Sequence, residues 1–564
     1  VKGPDRSAVG RLVATWWLPA AIACLVGTLY VCYSVAQWRA LVAPSWDLGI
    51  FTEAVQAYSR FEAPIAPIKG PGYNLLGDHF HPILALLGPI FRFFPSALTL
   101  LVVQDVLIAA SVLPIARLAQ SLLGRGGALL VGLAYGLGWG LQGAVGAQFH
   151  EVCVAVPLLA FGGVAFVERR WGVCMAWLAP LVLVKEDLGL TVFVAGLALA
   201  WRRRGEGRPG ILASIAYALF GIIAFVLTIK VLLPAMNPAG TWAYSLDGAA
   251  TGAGTPTGGT TAAREIPSLW GILTTPSVKL VSLLVLAAGA GFVGAASPWF
   301  ALVVPTLAWR FAGSVETYYV WDSWHYNAVL VPIAACSLLD VVDRWVSPEG
   351  VGRTLDLPAR STRARSASQR LGEASGDEST ACGGSDGLGG TASRTRCGVD
   401  VADAVGIQGD CAGAQTLVAA GLGRDGTVAS PGIAWRCAAW VVACVPALSL
   451  ALTASSLPLW HLPDLTEDPR MAAALGALDA VPEGVSVETD TTLLARLVPG
   501  REVYWVGTTG KMDTPPEYVV IDARSYAWGD QQVDAESWAA AAHPGHTYET
   551  VYAKQGFRVA RRTS

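Results

Sequence analysis

Long apolar runs constrain this chain more than any other feature. Residues 12–33, 98–115, 211–233 and 278–296 are nearly free of charged side chains. A stretch of about 18 to 25 apolar residues is long enough to cross a hydrocarbon core as a helix. Lipid offers no partner to a peptide N–H or C=O, so such a run must close its own backbone hydrogen bonds, which a helix does. The composition agrees, with 53% hydrophobic and 14% charged residues, whereas soluble domains carry about a quarter charged. The expected fold class is therefore an α-helical polytopic membrane protein.

Orientation follows from the basic residues beside the runs, because Arg and Lys accumulate on the cytoplasmic side. Lys2, Arg6 and Arg11 precede the first run. Glu168, Arg169 and Arg170 form a second cluster, Arg202, Arg203 and Arg204 a third, and Arg344 opens a fourth. All four share one side if spans lie near 12–38, 97–118, 126–147, 152–168, 171–184, 188–201, 210–233, 278–296, 298–313, 326–343 and 433–456. That gives about eleven spans, a cytoplasmic N-terminus and an extracytoplasmic C-terminus. The first run is too long for a signal-peptide core and lacks a small-residue cleavage site, so it reads as a retained span. Spans four to six are short enough to be tilted, broken or re-entrant. The expected location is a bacterial plasma membrane.

The division expected is a transmembrane core at 1–346, a disordered cytoplasmic insert at 347–431, a last span at 432–456 and an extracytoplasmic α/β domain at 457–564. The insert is rich in Ser, Gly, Ala, Arg and Asp, and buries too little apolar surface to offset the entropy of ordering. In the last segment, 470–478 reads as a helix, and 485–488, 502–506 and 518–522 read as strands between turn residues. About a hundred residues are enough to fold alone. On the same outer side, 49–61 has helical apolar spacing and is expected to lie flat on the membrane surface. The loop 234–277 is expected to hold one short helix near 266–273. A net charge of −3 argues against nucleic-acid binding, which needs a clustered basic field. The ten cysteines lack metal-like spacing and fall mainly in apolar runs, which argues against a disulfide framework.

Charged groups beside spans are costly and tend to be functional. On the expected outer side stand Asp47 in SWDLGIF, then Asp78, His79 and His81 in GDHFHP. His150 and Glu151 follow in FHEVC, Lys185, Glu186 and Asp187 in KEDLGL, and Tyr318, Tyr319, Asp322, His325 and Tyr326 in YYVWDSWHYN. Four of the seven histidines collect there. Taken singly, these residues have a structural explanation. Asp47, Glu186 and Asp187 precede helical stretches whose N–H groups a carboxylate can cap, and His, Tyr and Trp are common at membrane boundaries. Taken together, several loops bring acids and histidines to one face.

These blocks, in this order, resemble a bacterial family of polytopic membrane proteins of unknown function that is grouped with the GT-C membrane glycosyltransferases. The likeness runs from WDLGIFTEAV through GDHFHPILALLGPIF, FHEVCVAVPLLAF and KEDLGLTV to YYVWDSWHYNAVLVP, covering most of 40–345. The tail, with REVYWVG and PEYVVID, also resembles the outer domain of that family, whereas 347–431 departs from its compact pattern. The resemblance implies a GT-C-like fold and transfer of a sugar from a polyprenyl-phosphate donor to an envelope glycan, lipid or protein. It also implies an essential acid after the first span, which places Asp47 as general base. The leaving phosphate then needs partners, for which His79, His81, His150, Lys185, His325 and Tyr326 are candidates, with Arg39 and Arg92 behind them. Asp78, Glu151, Glu186 and Asp187 are the candidate acidic partners. A divalent cation, Mg²⁺ or Mn²⁺, is the rival use of Asp47, Asp78, His79, Glu151, Glu186 and Asp187. Two other functions compete: a transporter or flippase for a lipid-linked saccharide, and a non-catalytic membrane protein of envelope assembly. Inverted repeats and polar groups running down the spans would favour the flippase. The spans look mostly apolar below the outer boundary, with Gln104, Asp105 and Lys230 the clearest exceptions.

Overall fold

The computed structural model describes residues 6–240, 269–313, 315–347, 432–510 and 512–564. From the N-terminus, α1 (Arg6–Arg39) is followed by α2 (Asp47–Ser59), the short α3 (Gly88–Phe93), α4 (Ala97–Gly136), α5 (Trp139–Gly146) and α6 (Val152–Val167). Next come α7 (Trp171–Leu178), α8 (Leu188–Arg202), α9 (Arg208–Leu227), α10 (Leu233–Met236), α11 (Leu269–Thr274), α12 (Val278–Gly289), α13 (Val303–Ala312), α14 (Leu330–Val346) and α15 (Ile433–Thr453). Among the described residues, four stretches are long and apolar enough to cross a membrane: Thr15–Arg39, Ala97–Gly146, Arg208–Met236 and Ile433–Asp464. Five shorter apolar helices accompany them. The break expected between 118 and 126 is a kink at Gly124, whose φ of +74° only glycine adopts without strain.

Packing follows lipid rules. Without a hydrophobic drive between helices in lipid, close approach depends on small side chains. Where α8 crosses α9, a methyl on Gly196 would lie 2.5 Å from the Ala218 backbone, and one on Gly221 would lie 2.5 Å from that of Phe193. The outer face of α9 keeps Leu212, Leu219 and Ile223 exposed, where lipid is the natural solvent. The expected short helix of the 234–277 loop is α11, and residues 241–268 lie outside the described residues. The insert expected at 347–431 falls outside them from 348 onward.

After α15 comes a five-stranded sheet of order β2-β1-β3-β5-β4. Its strands are β1 (Ser486–Thr489), β2 (Glu502–Trp505), β3 (Tyr518–Asp522), β4 (Tyr548–Lys554) and β5 (Phe557–Arg562), with α16 (Met471–Asp479), α17 (Thr491–Leu497) and α18 (Ala535–Ala542) against it. β2, β1 and β3 are parallel, and the hairpin β4–β5 joins antiparallel to β3. One sheet face, with Val519, Ile521 and Ala560, packs on α18. The other, with Val487, Val503, Val520 and Val559, forms one apolar cluster with α2, α16, α17 and the start of α4.

This shared cluster corrects two expectations. Segment 49–61 does not lie flat on the membrane: α2 buries Leu48, Ile50, Phe51, Ala54 and Val55 together. A methyl on Gly49 would lie 2.5 Å from Leu494 and 2.9 Å from Ile68, so the absence of a side chain there lets α17 dock. The sheet, in turn, does not keep a core of its own on that face. Arg496 stacks its guanidinium 3.7 Å above the Trp38 ring, and the Gly500 N–H donates to Gln56 at 3.2 Å.

Candidate functional site

α2 begins at Asp47, where a carboxylate favours the positive end of the helix dipole. It makes no capping bond. Its Oδ2 instead accepts from the Ser45 hydroxyl at 2.8 Å and lies 3.4 Å from His150 Nε2. His150 Nδ1 donates to the Gln148 carbonyl at 3.2 Å, which turns Nε2 toward the Asp47 carboxylate. The Asp47 side chain keeps 30% of its surface exposed, against 3% for His150. Burial alone would raise the Asp47 carboxyl; His150 and Ser45 outweigh it and hold the carboxyl below its usual range.

The remaining acids also have cations. Lys185 Nζ donates to Glu151 Oε1 at 2.6 Å, with side chains 11% and 2% exposed. His79 Nδ1 lies 2.8 Å from Glu186 Oε1, and the Phe80 N–H donates to Glu186 Oε2 at 3.1 Å. Lys69 pairs with Asp78, whose other oxygen accepts from the Tyr73 hydroxyl at 3.2 Å. Burial would raise the Glu151 carboxyl, but Lys185 and the three nearby histidines bring it down to about 2. Glu186 reaches about 2 in the same way, through His79 and Lys185. Asp187 differs: burial lifts it to about 6, and its one bond to a neighbouring ring is from Trp309 Nε1 at 3.0 Å. Neither Glu186 nor Asp187 serves as a helix cap.

The histidines divide into two kinds. For His79, burial lowers the imidazole, but Glu186 more than restores it, and the net shift is upward. His81, 1% exposed and edge-on to Phe51, is pushed down to about 4 by burial. His325 stacks on His150 with centroids 3.6 Å apart and is driven well below the ordinary range, first by burial and then by the charge of His150. His81 and His325 are thus neutral at neutral pH. As phosphate partners they offer a hydrogen bond and not the charge expected of an imidazolium, because their sites are too dry to ionise them. Tyr326 packs 4.1 Å from His325. Arg92 donates to the Ser59 carbonyl at 3.1 Å, and the Arg39 carbonyl accepts from the Asp468 N–H.

Backbone strain collects at the same place. Gln148 (φ +70°) and Trp324 (φ +61°) are left-handed without being glycine, a cost that surrounding contacts must hold in place. Gln148 is tethered by a 2.8 Å bond from its amide to the Val42 carbonyl. The loop at 324–327 is seated on α5, where a methyl on Gly140 would lie 2.5 Å from the Asn327 backbone and one on Gly143 2.9 Å from that of Trp324. Two helical glycines therefore set the height at which His325 meets His150.

The sequence pattern of the family described as Predicted membrane protein (DUF2079) matches residues 38–355. The chain belongs to this family. The DUF2079 match contains every residue of the charge cluster, from Asp47 to Tyr326, and ends before the sheet. Two solved structures are similar over 98% of this chain and 98% of their own: ArnT from Cupriavidus metallidurans bound to undecaprenyl phosphate, with 13% identity and a TM-score of 0.46, and the same protein in the apo state, with 13% identity and 0.42. No curated protein matches the chain.

Several residues of this cluster are not apparent from the pattern of acids and histidines. Arg310 is fully buried, and its guanidinium donates to the carbonyls of Tyr318 and Tyr326 and, at 2.8 Å, to Asn327 Oδ1. It fixes the loop that carries His325 and Tyr326. Its signal is a lone Arg inside the apolar run VVPTLAWRFAG. Ser45, Lys69 and Gln148 carry no such signal, since each is an ordinary loop residue until the fold brings it to its partner. Among the described residues, no three His, Cys, Asp or Glu side chains converge as a metal-ligand set. The acids that would supply a Mg²⁺ or Mn²⁺ site face cations or indole N–H groups instead.

Proposed function

We propose that this protein is a membrane glycosyltransferase that moves a sugar from a polyprenyl-phosphate donor to a cell-envelope acceptor, with Asp47 as general base. One observation carries the reading. Within a cluster of otherwise buried ion pairs, the pairs Asp47–His150 and His79–Glu186 each keep one member in contact with solvent, with the Asp47 and His79 side chains 30% and 27% exposed. The GT-C resemblance in the sequence supports it, because the position after the first span is where such enzymes carry their essential acid.

In this reading the acceptor hydroxyl gives its proton to Asp47 as its oxygen bonds to the anomeric carbon. The bond from that carbon to the phosphate oxygen breaks, and its electron pair leaves with the polyprenyl phosphate. His79, kept protonated by Glu186, donates to the phosphate as its negative charge grows. The lowered pKa of Asp47 keeps it ionised at the cost of basicity, so its contribution rests on placement within reach of the hydroxyl. His150 holds the carboxylate in position. Lys185 is 11% exposed and engaged with Glu151, and acts on the site through its field.

The test uses membrane vesicles holding the full chain and endogenous acceptor, supplied with a panel of polyprenyl-phosphate-linked pentoses and hexoses. Release of polyprenyl phosphate is the readout. Asp47→Asn should slow release by about 10²- to 10⁴-fold while the protein stays folded in the membrane. Wild-type release by Asp47→Asn rules out the base assignment.

A further inference from the structure

We propose that the carboxyl edge of the parallel strands β1, β2 and β3 forms the acceptor-binding wall of the site, with Trp46, Trp505 and Tyr526 as the surfaces on which a glycan stacks. The inference rests on the reading of Asp47 as the base, and adds a substrate class and a location to it.

The topology supplies the crevice. From β1 the chain passes through α17 to β2 on one flank, while β3 pairs on the other. Where neighbouring connections diverge in this way, ligands bind beyond the carboxyl ends of the strands. That edge meets the Asp47 loop. Trp505, the last residue of β2, stands edge-on to Trp46 with centroids 5.6 Å apart, and Trp46 immediately precedes Asp47. The Tyr526 hydroxyl, beyond the end of β3, lies 3.5 Å from the Pro44 carbonyl. Thr491 and Thr492, after β1, line one cleft with Gly49, Gln148 and Ser45, whose hydroxyl holds Asp47.

The rings at this edge keep part of their surface in solvent, although Trp46 and Trp505 also pack against the apolar cluster. Tyr526 is 60% exposed, and Trp46 and Trp505 are half-buried. The backbone beneath them is rigid: Asp490 Oδ2 accepts from the Asp522 N–H at 2.7 Å and from Trp528 Nε1 at 3.2 Å. The Thr489 hydroxyl at the end of β1 is buried without a hydrogen-bond partner among the described residues. The Tyr526 phenol is raised first by burial and also by the charge of Asp47, which places the two within electrostatic reach.

The mixture of groups selects the ligand. An aromatic face is electron-rich and favours the slightly positive C–H face of a sugar ring. Ser45, next to Trp46, and Thr492 are partly exposed hydroxyls lining the cleft and suit a polyhydroxylated ligand better than an acyl chain, while the Thr491 and Ser525 hydroxyls lie buried and bonded to each other at 3.1 Å. This is the amphipathic surface a glycan needs.

The experiment applies full-length protein in nanodiscs to an array of linear hexasaccharides of glucose, mannose, galactose and arabinose. The wild type should bind at least one. Tyr526→Ala and Trp505→Ala should weaken that binding about tenfold, a loss on the scale of one stacked ring. Tyr526→Phe and Trp505→Phe keep a ring and should retain binding. Tyr526 is exposed, so its Ala variant reports binding even if Trp505→Ala disturbs β2. Binding is read with no sugar donor present, which separates this inference from the base assignment: wild-type transfer by Asp47→Asn rejects the base and leaves the wall. Absence of wild-type binding, or binding kept by Tyr526→Ala, overturns the wall.

Discussion

The pair formed by Lys185 and Glu151 and the pair formed by Asp47 and His150 use the same kinds of charge for opposite ends. The first is short, at 2.6 Å, and both side chains are nearly out of solvent. The second is 3.4 Å long, and Asp47 keeps nearly a third of its surface. A dry, close pair fixes the junction between the 150–151 loop and the 185–187 loop, and neither charge can leave without stranding the other. A long, open pair leaves its carboxylate able to exchange a neighbour for a substrate hydroxyl. Glu151 connects the two, since it feels the charges of Lys185, His150, His79 and His81. In the proposed reading the cluster has a structural end and a reactive end, joined by one buried acid.

Breaking the structural end should have the largest effect on stability. Glu151→Gln leaves Lys185 buried and unpaired, and should cost about 3–5 kcal/mol, seen as a lower midpoint of thermal unfolding in detergent. Replacing both with apolar residues, Glu151→Leu with Lys185→Met, should recover most of that loss. Equal stability of Glu151→Gln and wild type would erase the contrast between the two pairs. At the proposed reactive end, Asp47→Asn should change stability by no more than about 1 kcal/mol, as for partly exposed pairs, while slowing transfer about 10²- to 10⁴-fold.

The pH profile sharpens the contrast further. His79 has a raised pKa, so its proton is present at low pH and is lost as pH rises through the raised value. Asp47 has a lowered pKa, so it stays ionised until pH falls below the usual carboxylate range. The transfer rate should therefore form a bell wider than free imidazole and carboxylate would give. Glu186→Gln removes the charge that raises His79, and should move the alkaline limb to lower pH while leaving the acid limb in place. An alkaline limb that does not move detaches His79 from the phosphate.

How much of this is legible in the sequence depends on how local each cause is. Strand β3 is readable because its YVVI is a continuous apolar run, and the strand is buried along its length. Strands β4 and β5 are not, because YETVYAK lies mostly exposed at the sheet edge and FRVARR mixes charge with apolar residues. The helix of α2 is readable from its spacing, but its surroundings are not. A helix with a second apolar face looks interfacial until a sheet more than 400 residues away covers it. Likewise, the acids and histidines are visible as a set, because charge in apolar sequence is rare. Their pairing is not, since it depends on separations such as the 106 residues between Phe80 and Glu186. Arg310 is visible as an oddity, but its work on the 318–327 loop emerges only when its acceptors are carbonyls and an amide instead of a carboxylate.

The central claim, that Asp47 and His79 bracket the reacting bond, is tested most directly by a structure of the full chain in nanodiscs with polyprenyl phosphate added. The account predicts the phosphate within hydrogen-bond distance of His79, on the same side as Asp47 and below Trp505 and Tyr526. A phosphate bound away from both Asp47 and His79 would contradict it.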